Sequence, residues 1–261
     1  PGGPTLTPVP SPTPTPFPTP VPVEQVDSGH KALFLGDYDL AREQYLSAFN
    51  DSNDKGLQAA ALWGLARVAL AEGRYQTALE SLNQLTAEYS DSTYAARAYF
   101  LIGQAYEKLN QPQQAADAYS AYSTRIPNLL DAYTQEYRGN ALLQLKDYTG
   151  AINAYTTALN ASRLDDGLTL KIKIAQARAD FGDYAGALTA YDQIYVSAPN
   201  DYVRAQIDYL AGSVHQLLGQ AEEAHARFLH AVENYPLSYY SYLALVELVN
   251  ANVPVDELDR G

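Results

Sequence analysis

Four histidines, a short acidic loop, two acidic pairs and one Glu-Ser step are the side chains here whose types could carry chemistry. Their spacing argues against it. His225 and His230 stand five residues apart, on different faces of a helix, and no His-Glu-x-x-His zinc motif is present. Together with His30 and His215 they read as surface or groove histidines. Asp51-Ser52-Asn53-Asp54-Lys55-Gly56 imitates the opening of a calcium loop. Lys55 holds a ligand position, however, and Leu62 stands where the closing bidentate glutamate belongs, so a solvated loop is the better reading. Asp165-Asp166 and Glu222-Glu223 are adjacent pairs at helix starts, where carboxylates favour the helix dipole. Neighbours on a helix do not converge on one substrate, which leaves paired acid–base catalysis without support. There is no Gly-rich phosphate loop and no Gly-x-Ser-x-Gly, and with no cysteine there is no thiol nucleophile, thiolate metal site or disulfide. The expectation is a chain with no catalytic residues, no cofactor and no metal.

Bulk properties narrow the partners. A net charge of −13 opposes non-specific nucleic-acid binding and attraction to anionic membranes. No stretch reaches the roughly 18 uninterrupted apolar residues of a membrane span; the most apolar, Leu57 to Ala71, is broken by Gln58 and Arg67. The apolar share leans on alanine and on 22 tyrosines rather than on the six phenylalanines. Alanine lets helices sit close, and tyrosine buries a ring while its hydroxyl stays wet. The absence of methionine predicts a processed or trimmed chain.

The elements that must position any surface follow from one template. Tyr99 to Pro127, YFLIGQAYEKLNQPQQAADAYSAYSTRIP, reads as helix, tight turn and helix, with Pro127 stopping the second. Its small residue Gly103 recurs as Gly29, Ala66, Gly139, Ala175 and Gly212, at steps of 36 or 37 residues. Twelve positions after each stands an alanine: Ala41, Ala78, Ala115, Ala151, Ala187 and Ala224. A fixed period in this range means a helical solenoid. The predicted helix pairs are 24–35 with 39–50, 57–72 with 76–89, 94–109 with 112–125, 130–145 with 149–161, 167–181 with 185–197, and 202–218 with 221–234. An unpaired helix at 238–251 follows. Recurrent Gly-Asp-Tyr at the turns suits a left-handed glycine cap with the tyrosine packed back on the pair.

Residues 1–22, PGGPTLTPVPSPTPTPFPTPVP, hold ten of the fifteen prolines. Such a run removes amide donors, forbids helix and favours extended polyproline II, spanning on the order of 70 Å. Alternating Thr-Pro resembles spacers that hold surface domains away from an envelope, either plain or O-glycosylated, with Thr13, Thr15 and Thr19 the candidate acceptors. This arm predicts an extracytoplasmic location, at a bacterial cell surface or envelope. The domain plan is an arm at 1–22, a solenoid at 23–251 and a tail at 252–261.

The pattern resembles the tetratricopeptide repeat. The third copy carries the signature at Tyr99, Ile102, Gly103, Tyr106, Ala115, Tyr119 and Pro127, and the sixth keeps Gly212, Ala224, Phe228, Ala231 and Pro236. The resemblance implies an all-α, TPR-like solenoid of six repeats plus an incomplete seventh. It also implies a concave face, lined by first helices, that meets protein partners. By repeat position that face carries Trp63, Arg67, Phe100, Gln104, Tyr133, Asn140, Gln176, Tyr209 and Ser213, joined by Glu107, Glu136, Ile172 and Gln216. Aromatic rings mixed with amides suit an extended peptide or a cell-wall glycan strand.

A narrower resemblance lies in the tail. YSYLALVELVNANVPVDELDRG is similar to the helical region before the catalytic domain of soluble lytic murein transglycosylases. That family cuts peptidoglycan with a glutamate in a Glu-Ser motif followed by Gly-Leu-Met-Gln. Here the only Glu-Ser is Glu80-Ser81, within a repeat helix, and Gly-Leu-Met-Gln is absent. Three functions therefore stand side by side. The first is a non-catalytic extracytoplasmic interaction scaffold. The second is a homo-oligomeric subunit that self-assembles head to tail into a filament through uncapped ends and the arm. The third is the helical fragment of a transglycosylase-like enzyme.

Overall fold

The computed structural model describes residues 21–161 and 167–251, and all regular structure among them is helical. The pairs are α1 (Pro22–Leu35) with α2 (Tyr38–Asp51), α3 (Lys55–Ala71) with α4 (Tyr75–Glu88), and α5 (Thr93–Lys108) with α6 (Pro112–Arg125). They continue with α7 (Asp131–Gln144) and α8 (Tyr148–Ala161), α9 (Leu168–Phe181) and α10 (Tyr184–Val196), and α11 (Asp201–Leu217) and α12 (Ala221–Asn234). A thirteenth helix, α13 (Tyr239–Asn250), has no second helix among the described residues. Observed ends fall within two residues of the expected ones. At one boundary the sequence plan is corrected. Pro22, assigned to the arm, is the first residue of α1, because proline's fixed φ and missing N–H suit the first helical position. Residues 1–20 of the arm and the tail at 252–261 lie outside the described residues.

Each turn within a pair passes through one left-handed residue. Gly36, Gly73, Gly182 and Gly219 hold φ between 70° and 90°, and Asn110 (55°) and Lys146 (60°) take the same position without glycine's freedom. The aspartate that follows has a role of its own. Asp37, Asp147 and Asp183 each accept a hydrogen bond from a backbone N–H of the second helix, at Leu40, Gly150 and Gly186. This satisfies an orphan donor at the helix start.

The core is a column rather than a ball. Every helix packs on its chain neighbours, and the six register alanines are all at most 3% exposed. The small residue of the first helix makes its closest approach to the ring sixteen residues on, not to the alanine twelve on. A Cβ placed on Gly29, Gly103, Gly139 or Gly212 would lie 2.5–2.7 Å from Tyr45, Tyr119, Tyr155 or Phe228 respectively. These rings are fully buried, as is Tyr191 sixteen after Ala175. A missing side chain on one helix therefore makes the socket for a ring on the next.

Candidate interaction surface

The face that could receive a partner follows from the stacking. Towards the two ends of the stack first helices approach one another, α1 on α3, α3 on α5 and α11 on α13, whereas among the described residues no second helix makes a comparable approach to the next second helix. This shorter spacing puts those first helices on the inner side of the stack, and repeat position assigns α7 and α9 to the same side.

One residue beyond each socket stands a polar side chain: His30, Arg67, Gln104, Asn140, Gln176 and Ser213. The row is used unevenly. Asn140 is committed, since its Oδ1 accepts from the Tyr155 hydroxyl at 2.9 Å and from the Lys173 ammonium at 2.9 Å. Lys173 also pairs with Glu136 at 2.7 Å and lies over the Tyr155 ring, tying repeats four and five together. Ser213 turns inward and donates to the Tyr209 carbonyl, 2.9 Å away. Gln104 and Gln176 are half-buried and Arg67 is exposed, and none of the three makes a hydrogen bond among the described residues. His30 makes none either, but its ring packs edge-on to Tyr45, so these three are the polar groups of the row with neither a hydrogen bond nor a ring contact.

The aromatic members divide similarly. Phe100 is packed among Tyr119, Tyr122 and Tyr137, with ring centroids 5.6–6.0 Å apart, and Tyr209 sits against Phe228 and Tyr240. Both are wall rather than reaching group. Trp63 is half-buried against Tyr94, while Tyr133 is 56% exposed. Among the wider set, Ile172 corrects expectation, because it is buried in the core of repeat five. Gln216 bonds Glu247 of α13.

Burial sets the electrostatics of the row. The hydroxyls of Tyr45 and Tyr119 are enclosed without a hydrogen-bond partner, and burial lifts the Tyr45 and Tyr155 hydroxyls to about 12. Glu107, beside Tyr119, has its carboxyl raised by burial. His30 packs edge-on to Tyr45 with its pKa lowered, first by burial and then by the Arg67 charge. His30, Tyr137 and Lys173 were not singled out for this face. The signal that finds them is register: His30 stands in the polar row, and Tyr137 and Lys173 stand two before their sockets, where one stacks on Tyr119 and the other covers Tyr155.

A second polar cluster lies between repeats five and six. Asp208 is 1% exposed and accepts from Arg227 at 3.2 Å and from His230 Nδ1 at 2.8 Å; Arg227 reaches Asp192 as well. Asp208, Arg227 and His230, with Tyr195, His215 and Glu223, line an open cavity of about 360 Å³. His230 is thus a partner of a buried charge, a more specific role than a surface histidine. Among the described residues no group of three or more His, Asp or Glu side chains could hold a metal ion, and no helix is long and apolar enough to cross a membrane. Thr13, Thr15 and Thr19 lie outside the described residues.

Two family models match the sequence: a tetratricopeptide repeat-like domain over residues 25–129 and a tetratricopeptide repeat over 137–202. Together they cover well over half of the chain, and neither describes an enzyme. No curated protein matches. Among solved structures, a tetratricopeptide repeat protein from Parabacteroides merdae is similar with a TM-score of 0.63 at 16% identity, covering 91% of this chain and 89% of its own. The C-terminal part of a TPR repeat-containing protein from Cytophaga hutchinsonii gives 0.67 at 17%, covering 86% and 87%. Pseudomonas aeruginosa pilF gives 0.55 at 18%, covering 87% and 97%. At these identities the likeness establishes the fold alone.

Proposed function

Because the chain is a tetratricopeptide-repeat protein, we propose that it is a non-catalytic scaffold holding an extended segment of another protein along its first-helix face. The observation that carries this reading is the uneven polar row. Gln104, Gln176 and Arg67 remain without partners on a face whose neighbours Asn140 and Ser213 are tied down. A side-chain amide offers a donor and an acceptor together, which matches an extended backbone's alternating N–H and C=O groups. Arg67 adds a charge and a fork of donors for a carbonyl or carboxylate.

The test is selection of a random twelve-residue peptide library on the purified chain, followed by fluorescence anisotropy on the selected peptides. The triple variant Arg67→Ala, Gln104→Ala, Gln176→Ala should weaken binding by about tenfold or more, at roughly 0.5–1.5 kcal/mol per lost hydrogen bond. Its melting temperature should hold. Peptides that bind both proteins equally, or selection of cell-wall glycan fragments in place of peptides, would contradict the reading.

An extracytoplasmic location belongs to the same proposal and is supported by the Thr-Pro arm alone. Fractionation of the source cells checks it: recovery with the envelope or medium agrees, and recovery only with the cytosol does not.

A further inference from the structure

The exposed face of α13 is where this molecule departs from its own pattern. The joint before it, Tyr235-Pro236-Leu237-Ser238, matches Tyr89-Ser90-Asp91-Ser92 before α5, and in both the last serine caps its helix. Counting from those caps, Ser241, Ala244 and Leu248 stand where α5 has Ala95, Ala98 and Ile102, and all six are buried. The next face diverges. Ala96 becomes Tyr242, Phe100 becomes Val246, and the socket glycine Gly103 becomes Val249. In repeat three this face receives Tyr119 and Tyr122 of the second helix. In α13 it faces outward, with Tyr239 60%, Tyr242 62% and Val249 56% exposed.

Valine stands at a socket that is glycine or alanine in all six closed pairs, which makes the face a poorer fit for the ring of another second helix. A ring entering at Val249 would meet two methyl groups more than at Ala175, the bulkiest residue that faces a buried ring in the closed pairs. What remains is an exposed apolar strip, Tyr239, Tyr242, Val246 and Val249, spaced i, i+3, i+7 and i+10 along one side of the helix. Flat tyrosine platforms suit a narrow chain with few bulky side chains, and proline-rich extended segments dock on aromatic surfaces of this kind.

This chain supplies such a segment itself. Residues 8–20, PVPSPTPTPFPTP, carry no charge, and Glu247 is the one charged residue of α13, occupied by Gln216. In a molecule of net charge −13, two uncharged surfaces are the ones that can meet without repulsion. Helices α1 and α13 sit at opposite ends of the described stack, each packed only on the helices next to it. The arm leaves from α1, so a second copy brings it to α13 without its having to traverse the whole array.

We propose that the tyrosine strip of α13 is a docking site for the proline-rich arm, residues 8–20, of a second copy of this chain. The association runs head to tail, because the arm leaves one end of the stack and the strip lies at the other. This stands apart from the peptide-holding face, so either can fail alone.

Sedimentation velocity of the full chain over a wide concentration range tests the idea. We expect the average sedimentation coefficient to rise with concentration. Tyr239→Ser with Tyr242→Ser should weaken association by about tenfold or more while helix content and melting temperature hold, since both rings are exposed. Free peptide of residues 8–20 should dissociate the assemblies, and the same peptide with its prolines replaced by alanine should not. A chain that stays monomeric at every concentration would overturn the proposal. So would association insensitive to both the variant and the peptide, or a variant whose hydrodynamic radius grows independently of concentration, the mark of an arm docked on its own molecule.

Discussion

Helices α5 and α13 begin alike and end differently. Both follow a Tyr-x-x-Ser joint, both are capped by the joint's serine, and both bury the same three-position stripe on the helix before them. One then presents Gly103 to a buried tyrosine, and the other presents Val249 to solvent. Alanine and leucine on the inner stripe are enough to dock a helix onto the stack. In the closed pairs there is, in addition, a glycine or alanine opposite the bulky side chain sixteen residues on. The same small set of residues therefore separates the closed pairs from α13.

The comparison can be broken most forcefully at the ring. Tyr119→Ala empties the socket of repeat three and should cost about 3–5 kcal/mol in denaturant unfolding. Tyr242→Ala on α13 should cost under about 0.5 kcal/mol. Equal losses would mean that the two faces do not differ as described. Next comes the socket itself. Gly103→Val should overpack against Tyr119 and cost roughly 1–3 kcal/mol, and Ala151→Leu at the crossing of repeat four should do the same. Val249→Ala, with no ring opposite, should leave the melt unchanged or slightly improved, since alanine is the better helix former.

A smaller effect separates repeat four from its neighbours on the inner face. Lys173→Ala removes the ion pair with Glu136 and the bond to Asn140, costing about 0.5–1 kcal/mol because the pair is partly exposed. It should also release Asn140 into the polar row and alter peptide selection at that position.

The smallest effect is a pH dependence at His30. Its folded pKa lies below the usual 6.5, so the unfolded chain binds the proton more readily. Stability is present above about pH 6.5 and is lost as pH falls towards the folded value. His30→Gln should therefore show a smaller drop in melting temperature than wild type between about pH 7 and pH 5.5. A variant that follows the wild-type curve would remove His30 from this account.

Most of the fold was legible because its signals repeat. A small residue every 36 or 37 positions and an alanine twelve on, with a short turn between them, place the six described pairs. Pro22 was misassigned because its neighbours are prolines, though proline is at home at a first helical turn. The socket partners were harder to read. The ring sixteen on is tyrosine four times, leucine at Leu82 and phenylalanine at Phe228, so residue identity hides a shared role. On the candidate face, repeat position located the right helices but not which side chains stay free. Asn140 and Gln104 look alike in sequence, and the bonds from Tyr155 and from Lys173, 33 residues beyond Asn140, distinguish them. Phe100 and Tyr209 belong to the wall because second-helix rings reach them, a contact that no local pattern announces.

Amide hydrogen exchange of the full chain with a selected peptide bound tests the central claim most directly. Protection is predicted to rise on α3, α5 and α9, which carry Arg67, Gln104 and Gln176, and to leave the outer helices α4, α6 and α10 unchanged. Protection confined to the second helices would contradict it.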